Sequence, residues 1–169
     1  MDSEDIGVTV AAADPQARRP AGDDRDEAMD DARRAAERLV SEMTLDEKMG
    51  FVISYFPLIS RRAKEYEMIP SSGFTPGLPR LGIPALTITD ASLGVANTLN
   101  ARVGDTATAL PAALATGATF DVALAHSGGA MIGSEARAKG FNVMLAGGIN
   151  LTRDPWCGRN FEYVGEDPL

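Results

Sequence analysis

Two short apolar runs constrain the fold of this chain more than any other feature. They are Ile83-Pro84-Ala85-Leu86-Thr87-Ile88-Thr89 and Asn142-Val143-Met144-Leu145-Ala146, on either side of a helical pattern over 120–140. Runs that are apolar on both faces suit strands covered from both sides. A strand followed by a helix and a second strand is a βα unit, whose strands pair in parallel because the crossover returns the chain to the same end of the sheet. The helix carries Ala123, Leu124, Ser127, Met131, Glu135 and Ala138 at helical spacing, and Gly140 ends it. Glu135 and Lys139 are spaced for an i,i+4 ion pair. The expectation is an α/β fold built on a parallel sheet.

Helices precede that unit. Ala32, Ala35, Ala36, Leu39, Val40 and Met43 recur at intervals of three and four, which predicts a helix from Asp26. Thr44 stands three residues before Glu47, the spacing of a capping box, and predicts a second helix through about Ile53. Residues 57–80 are broken by Pro57, Pro70, Pro76, Gly77 and Pro79 and read as a connector, with one helical turn around Arg61–Glu67. Residues 91–110 read as a loop. Residues 1–31 hold ten acids against three arginines, so the net charge of −8 belongs mostly to the start of the chain. Residues 1–26 have few large apolar groups to offset the entropy of ordering and read as a disordered acidic leader. The domain proper is then 27–169.

The composition excludes several classes of function. The negative charge opposes a phosphate-backbone footprint, so no nucleic-acid partner is expected. No run of 18 apolar residues exists, so no membrane-spanning helix is expected. The opening Met1-Asp2-Ser3-Glu4-Asp5 is acidic where a secretory signal needs a basic region and then an apolar one. As it stands this implies a cytoplasmic protein; an upstream start would allow a periplasmic or secreted one. Cys157 is the single cysteine and His126 the single histidine, which leaves no disulfide, no metal cluster and no Ser-His-Asp or Cys-His set. Cys157 reads as a buried, inert thiol and His126 as structural or exposed. Gly147-Gly148 lacks the spacing of a dinucleotide fingerprint.

What remains is carboxylates and arginines at strand ends. Asp90 follows the first strand directly, and parallel α/β sheets gather ligands at the carboxyl ends of their strands. A carboxylate there can accept hydrogen bonds from neighbouring sugar hydroxyls; it can equally cap the following loop. The second strand leads into residues 150–163, which hold Arg153, Asp154, Arg159, Glu162, Asn150, Asn160 and three aromatics. An arginine fork can bind hydroxyls or carboxylates, whereas an Arg–Glu network can simply brace a long loop.

Several ordered segments then carry a family resemblance. They are Val40-Ser41-Glu42-Met43-Thr44-Leu45-Asp46-Glu47-Lys48, Pro79-Arg80-Leu81-Gly82-Ile83-Pro84-Ala85-Leu86, Thr89-Asp90-Ala91-Ser92-Leu93-Gly94-Val95, Thr108-Ala109-Leu110-Pro111 and Glu135-Ala136-Arg137-Ala138-Lys139-Gly140. Last come Asn150-Leu151-Thr152-Arg153-Asp154-Pro155, Gly158-Arg159-Asn160-Phe161-Glu162-Tyr163 and Gly165-Glu166-Asp167-Pro168. Over roughly 34–169 the chain resembles the N-terminal part of glycoside hydrolase family 3, the β-glucosidase and β-xylosidase family.

The resemblance implies the N-terminal portion of a (β/α)8 TIM-type barrel. A closed barrel takes about 250 residues, so the barrel is incomplete in this chain and the rest of a parent chain is needed to complete it. An open portion should show an unpaired parallel strand edge and exposed apolar faces. The implied activity is that of a retaining, exo-acting β-glucosidase that removes terminal β-D-glucosyl residues from β-glucosides or oligosaccharides, with no cofactor and no metal. The alternatives are a β-xylosidase or β-N-acetylglucosaminidase of the same family, or a non-catalytic sugar-binding short form. By the same resemblance Asp90 and Arg153 bind the sugar, while Asp154, Arg159 and Glu162 form a structural loop network. No catalytic residue is expected in this chain: the aspartate nucleophile, the acid and a lysine-histidine pair all come later in the family. Ala91-Ser92 stands where many members have Gly-Pro, and Trp156-Cys157 where many have an arginine and another residue.

Overall fold

The computed structural model of the protein describes residues 22–166. It divides into two compact units, Met1–Met43 and Thr44–Leu169. In the first, helix α1 spans Gly22–Glu42 and so begins before Asp26. Residues 22–26, read from the sequence as the end of a disordered acidic leader, thus lie inside this helix. The remainder of the acidic leader lies outside the described residues. The apolar positions of α1 are mostly exposed, Val40 among them.

The second unit opens with α2 (Leu45–Val52). Its capping box forms as the spacing predicts: the Glu47 N–H donates to the Thr44 hydroxyl at 3.3 Å, and the Thr44 N–H donates to Glu47 Oε2 at 2.8 Å. Arg80, on the 3₁₀ turn Pro79–Leu81, adds a forked bond to the same carboxylate at 2.7 and 2.5 Å. That bond, with the Thr44 N–H behind it, lowers the Glu47 carboxyl from its usual 4.5 to about 2.

Three strands form one sheet in chain order: β1 (Gly73–Thr75), β2 (Leu86–Asp90) and β3 (Val143–Leu145). The parallel β2–β3 pair, with Ile88 opposite Val143 and Asp90 opposite Leu145, is the unit that the two apolar runs predict. Pro84 has no N–H to give to a ladder, and β2 starts only at Leu86. Asn142 extends the ladder at that end with its side chain, accepting from the Thr87 N–H and donating to the Ala85 carbonyl, both at 2.8 Å. β1 lies inside the stretch read as a connector and pairs antiparallel to β2. A strand of three residues among prolines has too little length to show a period of two. Tyr55 adds a bridge to its outer side.

Between β2 and β3 lie a short helix α3 (Ala113–Gly117) and the crossover helix α4 (Val122–Ala138). Asp121 caps α4, its carboxylate accepting from the Leu124 N–H at 2.9 Å. The inward residues of α4 are Ile132 and Ala136, which pack with Ala91, Val95 and Phe141 into the core of this unit. Ala123, Leu124 and Ser127 are exposed, so the apolar face predicted from the spacing is covered only along the second half of the helix. Glu135 and Lys139 do not pair with each other as their spacing predicts. Both reach out to the loop after β2, where partners from a distant part of the chain outcompete a weak exposed i,i+4 contact. Among the described residues β3 is an edge strand, and Met144 and Leu145 are exposed, as expected of an open portion of a barrel.

Candidate functional site

The carboxyl ends of β2 and β3 lie side by side, so the loops that leave them line one cleft of about 770 Å3, a size typical of small-molecule sites. Asp90 stands at its edge as the last residue of β2. Among the described residues no basic side chain pairs with it. It is held instead by Ser72, whose hydroxyl donates to Asp90 Oδ2 at 2.5 Å and accepts from the Asp90 N–H at 3.0 Å. The loop turns back at once, the Ala96 N–H donating to the Asp90 carbonyl at 2.8 Å.

That loop is anchored far from where it starts. Arg102 donates to Asp105 Oδ2 at 2.7 Å and to the carbonyls of Pro70 and Ala96 at 2.8 Å each, and its guanidinium lies over the Phe141 ring. Lys139 donates to the other Asp105 oxygen and to the Thr106 carbonyl. The Lys139 and Arg102 bonds hold the Asp105 carboxyl below its usual value. Glu135 accepts from both the hydroxyl and the N–H of Thr108, which lowers its carboxyl as well. Gly94, at φ +131°, lets the loop pass against the Thr108 carbonyl, where any Cβ would collide.

The loop after β3 is held by short-range bonds. The Asp154 carboxylate accepts from the Trp156 N–H at 2.9 Å, and its carbonyl takes the Cys157 N–H and the Asn160 side-chain amide. Arg159 and Glu162 form a forked pair at 2.8 and 2.5 Å. The arginine holds the Glu162 carboxyl below its usual value; the glutamate in turn raises Arg159. Cys157 is half-buried, not fully buried as the sequence suggested. Its sulfur lies 3.9 Å from the Tyr163 hydroxyl, which pushes that phenol above its usual 10. Gly148 passes so close to the Glu162 carbonyl that a side chain there has no room. His126 is exposed on α4.

The two arginines line different hollows. Arg159 and Glu162 line the cleft of Asp90 together with Asn150 and Tyr163. Arg153 and Asp154 line a neighbouring hollow that shares only Asn150 and Tyr163 with the cleft. The Arg159–Glu162 ion pair lies in the loop where the family resemblance implies a structural network; that it lines the cleft of Asp90 follows only from the fold. Ser72 carried no signal, because its approach to Asp90 depends on the antiparallel pairing of β1. Among the described residues no group of three His, Cys, Asp or Glu side chains could hold a metal ion, and no helix is long and apolar enough to cross a membrane.

Comparison with known proteins agrees with the fold. Residues 24–169 match the family model of the glycosyl hydrolase family 3 N terminal domain. A probable beta-glucosidase F of Aspergillus flavus is 40% identical over 134 residues, which cover 79% of this chain and 14% of the fungal protein. Among solved structures, DesR, a beta-glucosidase from Streptomyces venezuelae in complex with D-glucose, is 41% identical with a TM-score of 0.58, covering 77% of this chain and 15% of that one. Beta-glucosidase 3B from Thermotoga neapolitana, in complex with glucose, is 32% identical with a TM-score of 0.65, covering 79% of this chain and 19% of the other. The chain thus spans less than a fifth of the length of these relatives.

Proposed function

The chain belongs to glycosyl hydrolase family 3, and from that premise we propose that it supplies the sugar-gripping edge of a retaining, exo-acting β-glucosidase. The observation that carries this reading is the Asp90 carboxylate at the end of a parallel barrel strand, lining a cleft that also holds Arg159 and, among the described residues, paired with no basic side chain. The carboxylate accepts hydrogen bonds from hydroxyls of the terminal sugar, and the Arg159 N–H groups not engaged by Glu162 donate to them. Glucose in the Streptomyces and Thermotoga relatives supports glucose as that sugar. Arg153, which the family resemblance also assigns to the sugar, would act from the adjoining hollow.

Retention of configuration needs two carboxyl groups about 5–5.5 Å apart, one attacking the anomeric carbon and one protonating the leaving oxygen. Neither is assigned to residues 1–169; both are supplied by polypeptide beyond this segment. The chain's own part is positional. Contacts to ring hydroxyls strengthen as the oxocarbenium-like transition state forms, so binding here is expressed as rate.

The test is to assay the full-length polypeptide carrying this segment on nitrophenyl β-glucoside, β-xyloside and β-N-acetylglucosaminide. Preferential release from the glucoside, with the β-anomer of glucose formed first, supports the reading. Preference for either other sugar keeps the family and overturns the substrate. Saturable glucose binding without turnover of any of the three points to a sugar-binding form instead.

A further inference from the structure

We propose that Ser72 is a positioning residue for the sugar site, acting through Asp90; this rests on the sugar-binding role proposed for Asp90 above. The Ser72 hydroxyl has one proton, and it goes to Asp90 Oδ2 at 2.5 Å. The Ser72 hydroxyl oxygen in turn accepts from the Asp90 N–H at 3.0 Å. Ser72 therefore closes a ring between the carboxylate and the backbone of the same aspartate, which leaves that side chain little torsional freedom. Ser72 is itself fixed from below: its N–H donates to the Ile88 carbonyl at 3.2 Å, and the adjoining Gly73 is in register with Ile88.

The charge on Asp90 makes the arrangement directional. Among the described residues no cation orients the carboxylate, so the serine proton alone decides which oxygen is engaged within the protein. Oδ1 keeps its full accepting capacity and Oδ2 keeps part of its own, a disposition suited to two neighbouring hydroxyls on one sugar. Without the Ser72 oxygen the carboxylate can rotate, and the Asp90 N–H loses its partner. Preorganised acceptors of this kind lower the barrier because they need not reorient during reaction.

The experiment uses the full-length polypeptide and the β-glucoside assay, with Ser72→Ala, Ser72→Thr, Asp90→Ala and the Ser72→Ala/Asp90→Ala double variant. Ser72→Ala should lower kcat/KM about tenfold, mainly through kcat, while Ser72→Thr, which keeps the hydroxyl, should recover most of that loss. In the Asp90→Ala background, removing Ser72 should cost nothing further, because its effect runs through that carboxylate. A purely structural serine would instead lower stability and give additive losses, and additivity overturns the inference. So does a Ser72→Ala enzyme within about twofold of wild type while Asp90→Ala is crippled, an outcome that leaves the sugar-binding role of Asp90 intact. An Asp90→Ala enzyme with unchanged kcat/KM overturns both.

Discussion

The loops that leave β2 and β3 meet at one cleft but are built on opposite plans. The first is bolted to distant parts of the second unit: Arg102 reaches Pro70, Lys139 reaches Asp105, and Glu135 reaches Thr108. The second holds itself together, with Asp154, Asn160 and the Arg159–Glu162 pair bonding within the loop. Arg159 stays largely exposed while Glu162 is mostly covered. The difference separates two tasks. In the sugar-binding role proposed above, long-range anchors give Asp90 a fixed address, whereas an arginine on a self-contained loop can adjust to what arrives.

The sharpest way to break this contrast is Asp90→Ala in the full-length polypeptide. Loss of the fixed acceptor is expected to cost about a thousandfold in kcat/KM, or about 4 kcal/mol of transition-state stabilisation. Unchanged efficiency would remove the anchored loop from function altogether. Next comes a side-by-side comparison of the two arginines. Arg159→Ala is expected to lose about a hundredfold in kcat/KM and Arg153→Ala less than about tenfold, since only the former lines the cleft of Asp90. A reversed order would return the sugar to Arg153.

The anchors themselves can be tested by stability. Asp105→Ala leaves Arg102 and Lys139, whose side chains are 11% and 18% exposed, without their shared counter-charge. A fall of about 5 °C in the thermal midpoint is expected, against little change for Glu162→Gln on the locally bonded loop. Equal shifts for both variants would erase the distinction. The smallest effect concerns pH. The Glu47 carboxyl lies at about 2 in the folded chain, against the usual 4.5. A lowered folded value means that its contribution is complete above 4.5 and is lost as pH falls toward about 2. Glu47→Gln should therefore flatten the stability profile between those two values and leave it unaltered at neutral pH apart from a constant offset, measured by urea midpoints across that range.

The parts of the fold legible in the sequence were those governed by local chemistry. The capping box at Thr44 and Glu47, the crossover helix, and both parallel strands follow from spacing and apolar runs. Asp90 was legible because a charged residue closing an apolar strand is conspicuous. β1 was not, since three residues among prolines carry no period, and Ser72 became visible only through the register that β1 adopts. The grouping of Arg159 with Asp90 was hidden for a related reason: two loops distant in sequence converge only because their strands are parallel neighbours. Glu135 and Lys139 show the converse, a local rule overridden by better partners elsewhere.

The order of the sheet has a consequence for synthesis. Its strands run β1, β2, β3 in space as they do along the chain. A polypeptide emerging from the ribosome would therefore find each new strand's partner already outside the tunnel, and never need to hold a gap open for a strand still to come. Assembly can proceed by addition at one moving edge. On that route Asp90 is seated against Ser72 before β3 and the arginine loop exist, so the proposed grip on the sugar is shaped first and the adjustable wall is built around it.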